Sequence, residues 1–318
     1  MDSRLAHKRV RANGITFHVA ASGPEDGPPV LFLHGFPEGW MSWRATMEHL
    51  NGLRLYAPDL RGYGETDRPP NGYDVLTLTD DIAGLIRALD LDRPLLVGHD
   101  WGGELAWIFA HRHSEMISRL VVVNATHPRT LVRAVLRCED WQTFRIPFVP
   151  FFEIPELPER LIATPVGRQL LKLSFTIRQG TPGTMNIEVV DDFVKHFRKP
   201  ADVRPPITYY RQMVLTQVLP GRRKQLDTIY ANPITVPAAL VWGMKDNVLS
   251  SKVARQSYKD AGCPVEWRPL AGVGHFVDLE APRKLAAEIA RVAGHPGSGS
   301  KLGFGAEASG PSVKAPTP

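Results

Sequence analysis

Residues 94–103, Pro-Leu-Leu-Val-Gly-His-Asp-Trp-Gly-Gly, set a short apolar run against a turn with an aspartate at its apex. Leu95–Val97 has the character of a buried strand, and Trp101–His111 has helical spacing. Aspartate is a good helix N-cap, and a lone one ahead of a helix ordinarily does no more than cap it. Here Gly98 and Gly102 bracket Asp100, which capping does not require. Small neighbours let a tight, strained turn push the central side chain into the open.

The same alternation extends on both sides. Val10–Val19 reads as two strands around Asn13-Gly14, a strong hairpin signal. Pro29–Leu33 and Leu53–Ala57 are further strands, Thr77–Leu89 a helix with Ile82, Leu85, Ile86 and Leu89 on one face, and Leu120–Val123 another strand. After a gap the pattern resumes with strand Ala238–Trp242, helix Ser251–Ala261, strand Val265–Trp267 and helix Pro282–Val292. Continuous apolar strands alternating with helices predict an α/β fold, a mostly parallel sheet covered on both faces.

Residues 1–127 and 232–294 are therefore expected to form the two parts of one core. Between them, residues 128–231 are rich in Pro, Phe and Arg and lack a convincing buried strand. Helices are expected at Leu161–Leu173 and Ile207–Val218, making this segment a helical lid over the carboxyl edge of the sheet. Residues 295–318 include Gly297-Ser298-Gly299-Ser300 and are expected to be a disordered tail.

Composition narrows the function classes. The chain has 318 residues, 43% of them hydrophobic and 22% charged, an ordinary balance for a globular protein. Net charge is +5, but the one dense basic cluster is Arg222-Arg223-Lys224, with no nucleic-acid-binding motif beside it, so nucleic acid is not an expected partner. Cys138 and Cys263 lack metal-ligand spacing and are expected to be free thiols in a reducing compartment. Asn13-Gly14 falls where a signal peptide would need its apolar segment, and no apolar stretch is long enough to span a bilayer, so a cytoplasmic location is expected. No metal and no cofactor are expected.

Ligands of open α/β sheets bind beyond the carboxyl ends of the strands. His34, Asp100, Asp246 and His275 all fall at such ends. Asp246 in Trp242–Asn247 could be an ordinary turn residue, and His275 in Gly272–Phe276 a structural histidine. Together with Asp100, however, they stand in the order nucleophile, acid, histidine, which is a catalytic-triad order. His34-Gly35-Phe36-Pro37 supplies a strand-end loop, with Pro37 expected to hold a tight turn through a cis bond. Backbone N–H groups of Phe36 and Trp101 are the candidate oxyanion hole.

A carboxylate at the apex changes the chemistry. It is ionised at neutral pH, with an unperturbed pKa of about 3.9, and needs no base to attack. As a weak nucleophile it suits displacement at a saturated carbon bearing a leaving group. The resulting alkyl ester on Asp100 needs activated water, an acid-oriented base and an oxyanion hole, the roles of His275, Asp246 and the two N–H groups. A departing epoxide oxygen needs a proton donor, whereas a halide needs only N–H donors such as an indole.

With His34–Glu38, Asp59-Leu60-Arg61-Gly62-Tyr63-Gly64, Gly98–Gly103 and Gly274-His275-Phe276 assembled, residues 8–293 resemble the α/β-hydrolase-fold epoxide hydrolases. That resemblance implies hydrolysis of a small apolar epoxide to a diol, with Tyr210 of Tyr209-Tyr210-Arg211 as the proton donor. A second lid tyrosine would be expected near Phe151–Pro155, but phenylalanines stand there, leaving Tyr210 alone or assisted by His127 or Tyr209. His34, Pro37 and Phe151 are further candidate substrate-binding residues. Phe148–Phe152 is expected to line an apolar tunnel or pack the lid, His99 and His127 to be structural or at a rim, and Asp59 and Arg61 to brace their loop. Haloalkane and haloacetate dehalogenases share the fold and nucleophile and stay open as alternatives. Trp101 stands where the haloacetate enzymes carry an arginine, and Phe36 where the haloalkane enzymes carry Asn or Glu. A pocket that binds without turnover is the third reading.

Overall fold

The computed structural model describes residues 5–294; the expected tail at 295–318 lies outside them. Eight strands form one sheet in the order β1-β2-β4-β3-β5-β6-β7-β8. They are β1 (Ala6–Ala12), β2 (Ile15–Ser22), β3 (Pro29–Leu33), β4 (Arg54–Pro58), β5 (Leu95–His99), β6 (Arg119–Val123), β7 (Ala238–Gly243) and β8 (Val265–Leu270). β1 and β2 form an antiparallel hairpin and β2 runs antiparallel to β4; every other pairing is parallel. Asn13 and Gly14 both take positive φ, as the tight hairpin turn demands.

Alternate residues of β3 explain why its strand reads as continuously apolar. Leu31 and Leu33 pack into the core on one face with Trp107 and Phe109, and Val30 and Phe32 into the core on the other with Trp43 and Val121. All four are fully buried. Helices α1 (Val75–Ala88) and α2 (Trp101–His113) cover the first face, and the chain closes with a C-terminal helix, Pro282–Ala293, on the second.

Every regular element between β6 and β7 is helical. The longer ones are α3 (Pro128–Leu136), α4 (Phe148–Phe152), α5 (Leu157–Ile162), α6 (Pro165–Ile177), α7 (Ile187–Lys195), α8 (Pro200–Val218) and α9 (Pro220–Tyr230). The helix expected at Leu161–Leu173 is instead broken at Ala163-Thr164, where Thr164 caps α6 through the Gly167 N–H and Pro165 takes its first position. α8 begins before Ile207 and runs through Pro205 and Pro206, both buried. The helix expected at Ser251–Ala261 is two single turns, Ser251–Ala254 and Tyr258–Ala261.

Candidate active site

Asp100 sits at the end of β5 with φ 47° and ψ −117°, and its side chain caps nothing in α2. A left-handed φ on a non-glycine residue is a strained geometry that concentrates at functional sites. The bracketing glycines are required by close approach: a Cβ on Gly98 would stand 2.3 Å from the Gly102 carbonyl oxygen, and one on Gly102 2.1 Å from that of Leu33. The turn thus aims the carboxylate outward because nothing larger than hydrogen fits beneath it.

Three strand ends converge on this carboxylate. The Phe36 N–H donates to Asp100 Oδ1 at 2.9 Å, from a loop whose Phe36–Pro37 peptide is cis. His275 Nε2 lies 3.5 Å from Asp100 Oδ2, and its Nδ1–H donates to Asp246 Oδ2 at 2.9 Å. Asp246 Oδ1 accepts from the Val248 and Leu249 N–H groups at 2.7 and 2.9 Å. The Trp101 amide opens α2, where no intrahelical acceptor exists for it.

Electrostatics follow from this packing. Burial would raise the Asp100 carboxyl, but His275, the His99 charge and the Phe36 N–H outweigh it and hold the pKa below the usual value. Burial likewise pulls His275 down, yet Asp246 and Asp100 push it up to about 9. Tyr210 is raised well above an ordinary phenol by burial and then by the Asp100 charge, so it keeps its proton.

Asp100, His275 and Tyr210 open onto one cavity of about 310 Å³, walled by Phe36, Pro37, Phe148, Phe151, Phe152, Leu161 and Leu171 among others. Tyr210 is the one phenol among the described residues on this wall. Pro37 and Phe151 are on it, as expected from the sequence. Three expected residues are not. His34 is fully buried behind the loop, donating from Nδ1 to the Gly35 carbonyl and accepting the Leu60 N–H at Nε2, so it braces the loop. Tyr209 spends its hydroxyl on the Arg61 carbonyl at 2.9 Å. His127 is buried against His111, accepts the Arg129 N–H and caps α3, with burial holding its pKa well below the usual value. Each is a structural residue, because its polar atoms are already occupied inside the protein.

Asn124 and Glu280 were not legible beforehand. Asn124, just past the end of β6, donates to Asp246 Oδ2 at 2.7 Å and to the Gly274 carbonyl at 3.1 Å, locking the acid to the histidine loop. A polar residue closing an apolar strand was the available signal. Beneath Asp100, His99 donates from both ring nitrogens, to Glu38 and to the His275 carbonyl, which requires the imidazolium. Glu280 accepts the Gly180 and Gly274 N–H groups at 2.8 and 2.9 Å, and the His275 N–H donates to the Arg178 carbonyl at 3.2 Å. The segment after α6 is thereby stitched to the histidine loop. Asp59 accepts from the Trp40 and Glu65 N–H groups and Arg61 pairs with Asp81, bracing their loop. Glu38, His99 and buried Asp278 could by type offer a metal three ligand atoms. His99 donates its Nδ1–H to Glu38, so that atom is not available as a ligand.

The α/β-hydrolase fold family matches residues 28–282. Epoxide hydrolase 3 of Xenopus tropicalis is 34% identical over 286 residues, spanning 87% of this chain and 74% of that protein. Epoxide hydrolase 4 of Mus musculus is 35% identical over 253 residues, 77% of this chain and 67% of that one. Among solved structures, epoxide hydrolase VrEH1 from Vigna radiata superposes with a TM-score of 0.77 at 27% identity, over 92% of this chain and 99% of that one. Cfl2 from Burkholderia cenocepacia superposes at 0.79 and 28% identity, over 90% and 94%. No helix among the described residues is long and apolar enough to cross a membrane. On fold, motifs and relatives together, this chain belongs to the epoxide hydrolase family of the α/β-hydrolase fold.

Proposed function

We propose that the protein hydrolyses an epoxide to a vicinal diol through an alkyl ester on Asp100, with the helical segment 128–231 serving as the lid. The observation that carries this reading is the convergence of Asp100, His275 and a protonated Tyr210 on one apolar-walled cavity. Asp100 Oδ2 attacks an oxirane carbon, the carbon–oxygen bond breaks, and the alkoxide takes the Tyr210 proton. His275 then removes a proton from water, and the hydroxide adds to Asp100 Cγ. The oxyanion forms on Oδ1, where the Phe36 N–H already donates and the Trp101 N–H is free to join. Collapse releases the diol, leaves one water oxygen in the Asp100 carboxylate and returns the His275 proton to Tyr210 through solvent.

Tyr210 favours an epoxide over a halide, because a halide leaves without a proton. Its edge-on contact with Trp101, at 4.9 Å between ring centroids, packs the phenol ring against the residue that follows the nucleophile. The test is trapping. His275→Gln exposed to styrene oxide should gain the mass of one epoxide and hold it, and peptide mapping should find the label on Asp100. If neither epoxides nor chloroalkanes label the variant while wild type turns them over, the two-step scheme is wrong.

A further inference from the structure

The cavity wall holds one cation that the chemistry above does not use. Arg178, just past the end of α6, lines the cavity together with Asp100, His275 and Tyr210. Its carbonyl accepts the His275 N–H at 3.2 Å, which ties its backbone to the loop of the catalytic histidine. The guanidinium forms no ion pair among the described residues. Its side-chain contacts are a 3.3 Å bond to the Ser174 carbonyl and the face of Phe148, 5.4 Å from the ring centroid. Burial lowers its pKa, with the Asp100 and Asp246 carboxylates of the site acting in the opposite direction. The guanidinium remains a cation in any case. Of its five N–H donors, one is used.

A half-buried guanidinium without a carboxylate is costly to hold, and the cost is met when a ligand supplies the missing anion. Arginine presents a planar fork that matches a carboxylate in two parallel bonds. The rest of the wall is aromatic and aliphatic apart from Gly167 and Ser174, whose hydroxyl already donates to the Leu171 carbonyl, so a substrate entering here meets mostly apolar surface away from the reacting groups and this fork. A cavity of about 310 Å³ shared by the fork and the nucleophile suits a compact molecule carrying both functions.

We propose that Arg178 is a specificity-determining residue that binds a carboxylate on the substrate, so that the preferred substrates are compact epoxy acids. This rests on the epoxide reading above and narrows it. The fork anchors the acid end while Asp100 and Tyr210 address the oxirane, which favours one orientation and hence one attacked carbon.

The experiment compares trans-3-phenylglycidate with its methyl ester, which differs in lacking the charge, and with styrene oxide as a neutral reference. Wild type should favour the acid over the ester in kcat/KM by at least about tenfold, the scale of a charged hydrogen-bond pair. Arg178→Met should lower kcat/KM for the acid at least about tenfold more than for the ester, and Arg178→Lys should recover part of the preference. The ester and styrene oxide rates report that the variants are folded. Equal loss on acid and ester, or no preference in wild type that hydrolyses styrene oxide, overturns the carboxylate role. Absence of hydrolysis of all three, with His275→Gln unlabelled, overturns the epoxide reading instead.

Discussion

At the scale of single residues, the proposed chemistry turns on charge that changes hands. His275 is held near 9 by two carboxylates after burial has pulled it down, so in the resting site it is an imidazolium and no base. Esterification of Asp100 removes one of those charges and lets the pKa fall, which frees the ring when water must be activated. The expected outcome is that decay of the covalent adduct, followed in single turnover, rises with pH to a plateau with a midpoint below about 9. A midpoint at or above that value contradicts the release. Tyr210→Phe should slow adduct formation from an epoxide by about 100-fold while leaving decay of a preformed adduct within a few fold. Asp100, Asp246 and His275 were legible in the sequence because glycines and chain order single them out. His34, His127 and Tyr209 misled because a histidine or tyrosine near a motif looks the same whether its polar atoms face a cavity or a neighbouring carbonyl. Arg178 gave no sign: its role depends on which way one side chain turns at a helix end.

At the scale of elements, caps and turns decide boundaries that periodicity blurs. The first long helix was expected from Thr77 but starts at Val75, because Asp74 accepts the Leu76 and Thr77 N–H groups and the Thr77 hydroxyl. Asp74→Ala should cost about 1 kcal/mol of stability, read as a lower urea midpoint with unchanged slope. A change below a few tenths would show the cap to be redundant. The strands were readable since both faces of the sheet are buried and their apolar runs are unbroken. The lid helices were less so. Leu161 falls in α5 and Leu170 and Leu173 in α6, and at 47%, 61% and 51% exposed none is a core residue; Leu161 and Leu170 border the cavity instead. In α8 the helix was expected from Ile207, whereas the chain carries Pro205 and Pro206 inside it and packs Pro205 over Gly62, where an added Cβ would stand 2.4 Å away.

Across the whole molecule, the sheet presents its carboxyl ends to the helical segment and its deepest charges lie beneath that surface. Asp278 is fully buried, and burial first, then the Glu38 charge, raises its pKa to about 7, against the pull of His99. Its folded value lies above its unfolded one, so its contribution to stability is full below about pH 4 and is lost as pH rises through about 7. Asp278→Asn should therefore move in the variant's favour, in melting temperature relative to wild type, between about pH 4 and pH 8. A gap that stays constant with pH would show the group to be uncoupled from folding. The stitching by Glu280 and by the Arg178 carbonyl has a mechanical reach. If the helices swing aside to admit a guest or discharge a diol, either those bonds part or the histidine loop travels with them. In the first case exit is gated by the bonds that Glu280 makes to the Gly180 N–H and the His275 N–H makes to the Arg178 carbonyl; in the second, every opening withdraws the base from the aspartate, and the enzyme rearms itself by shutting.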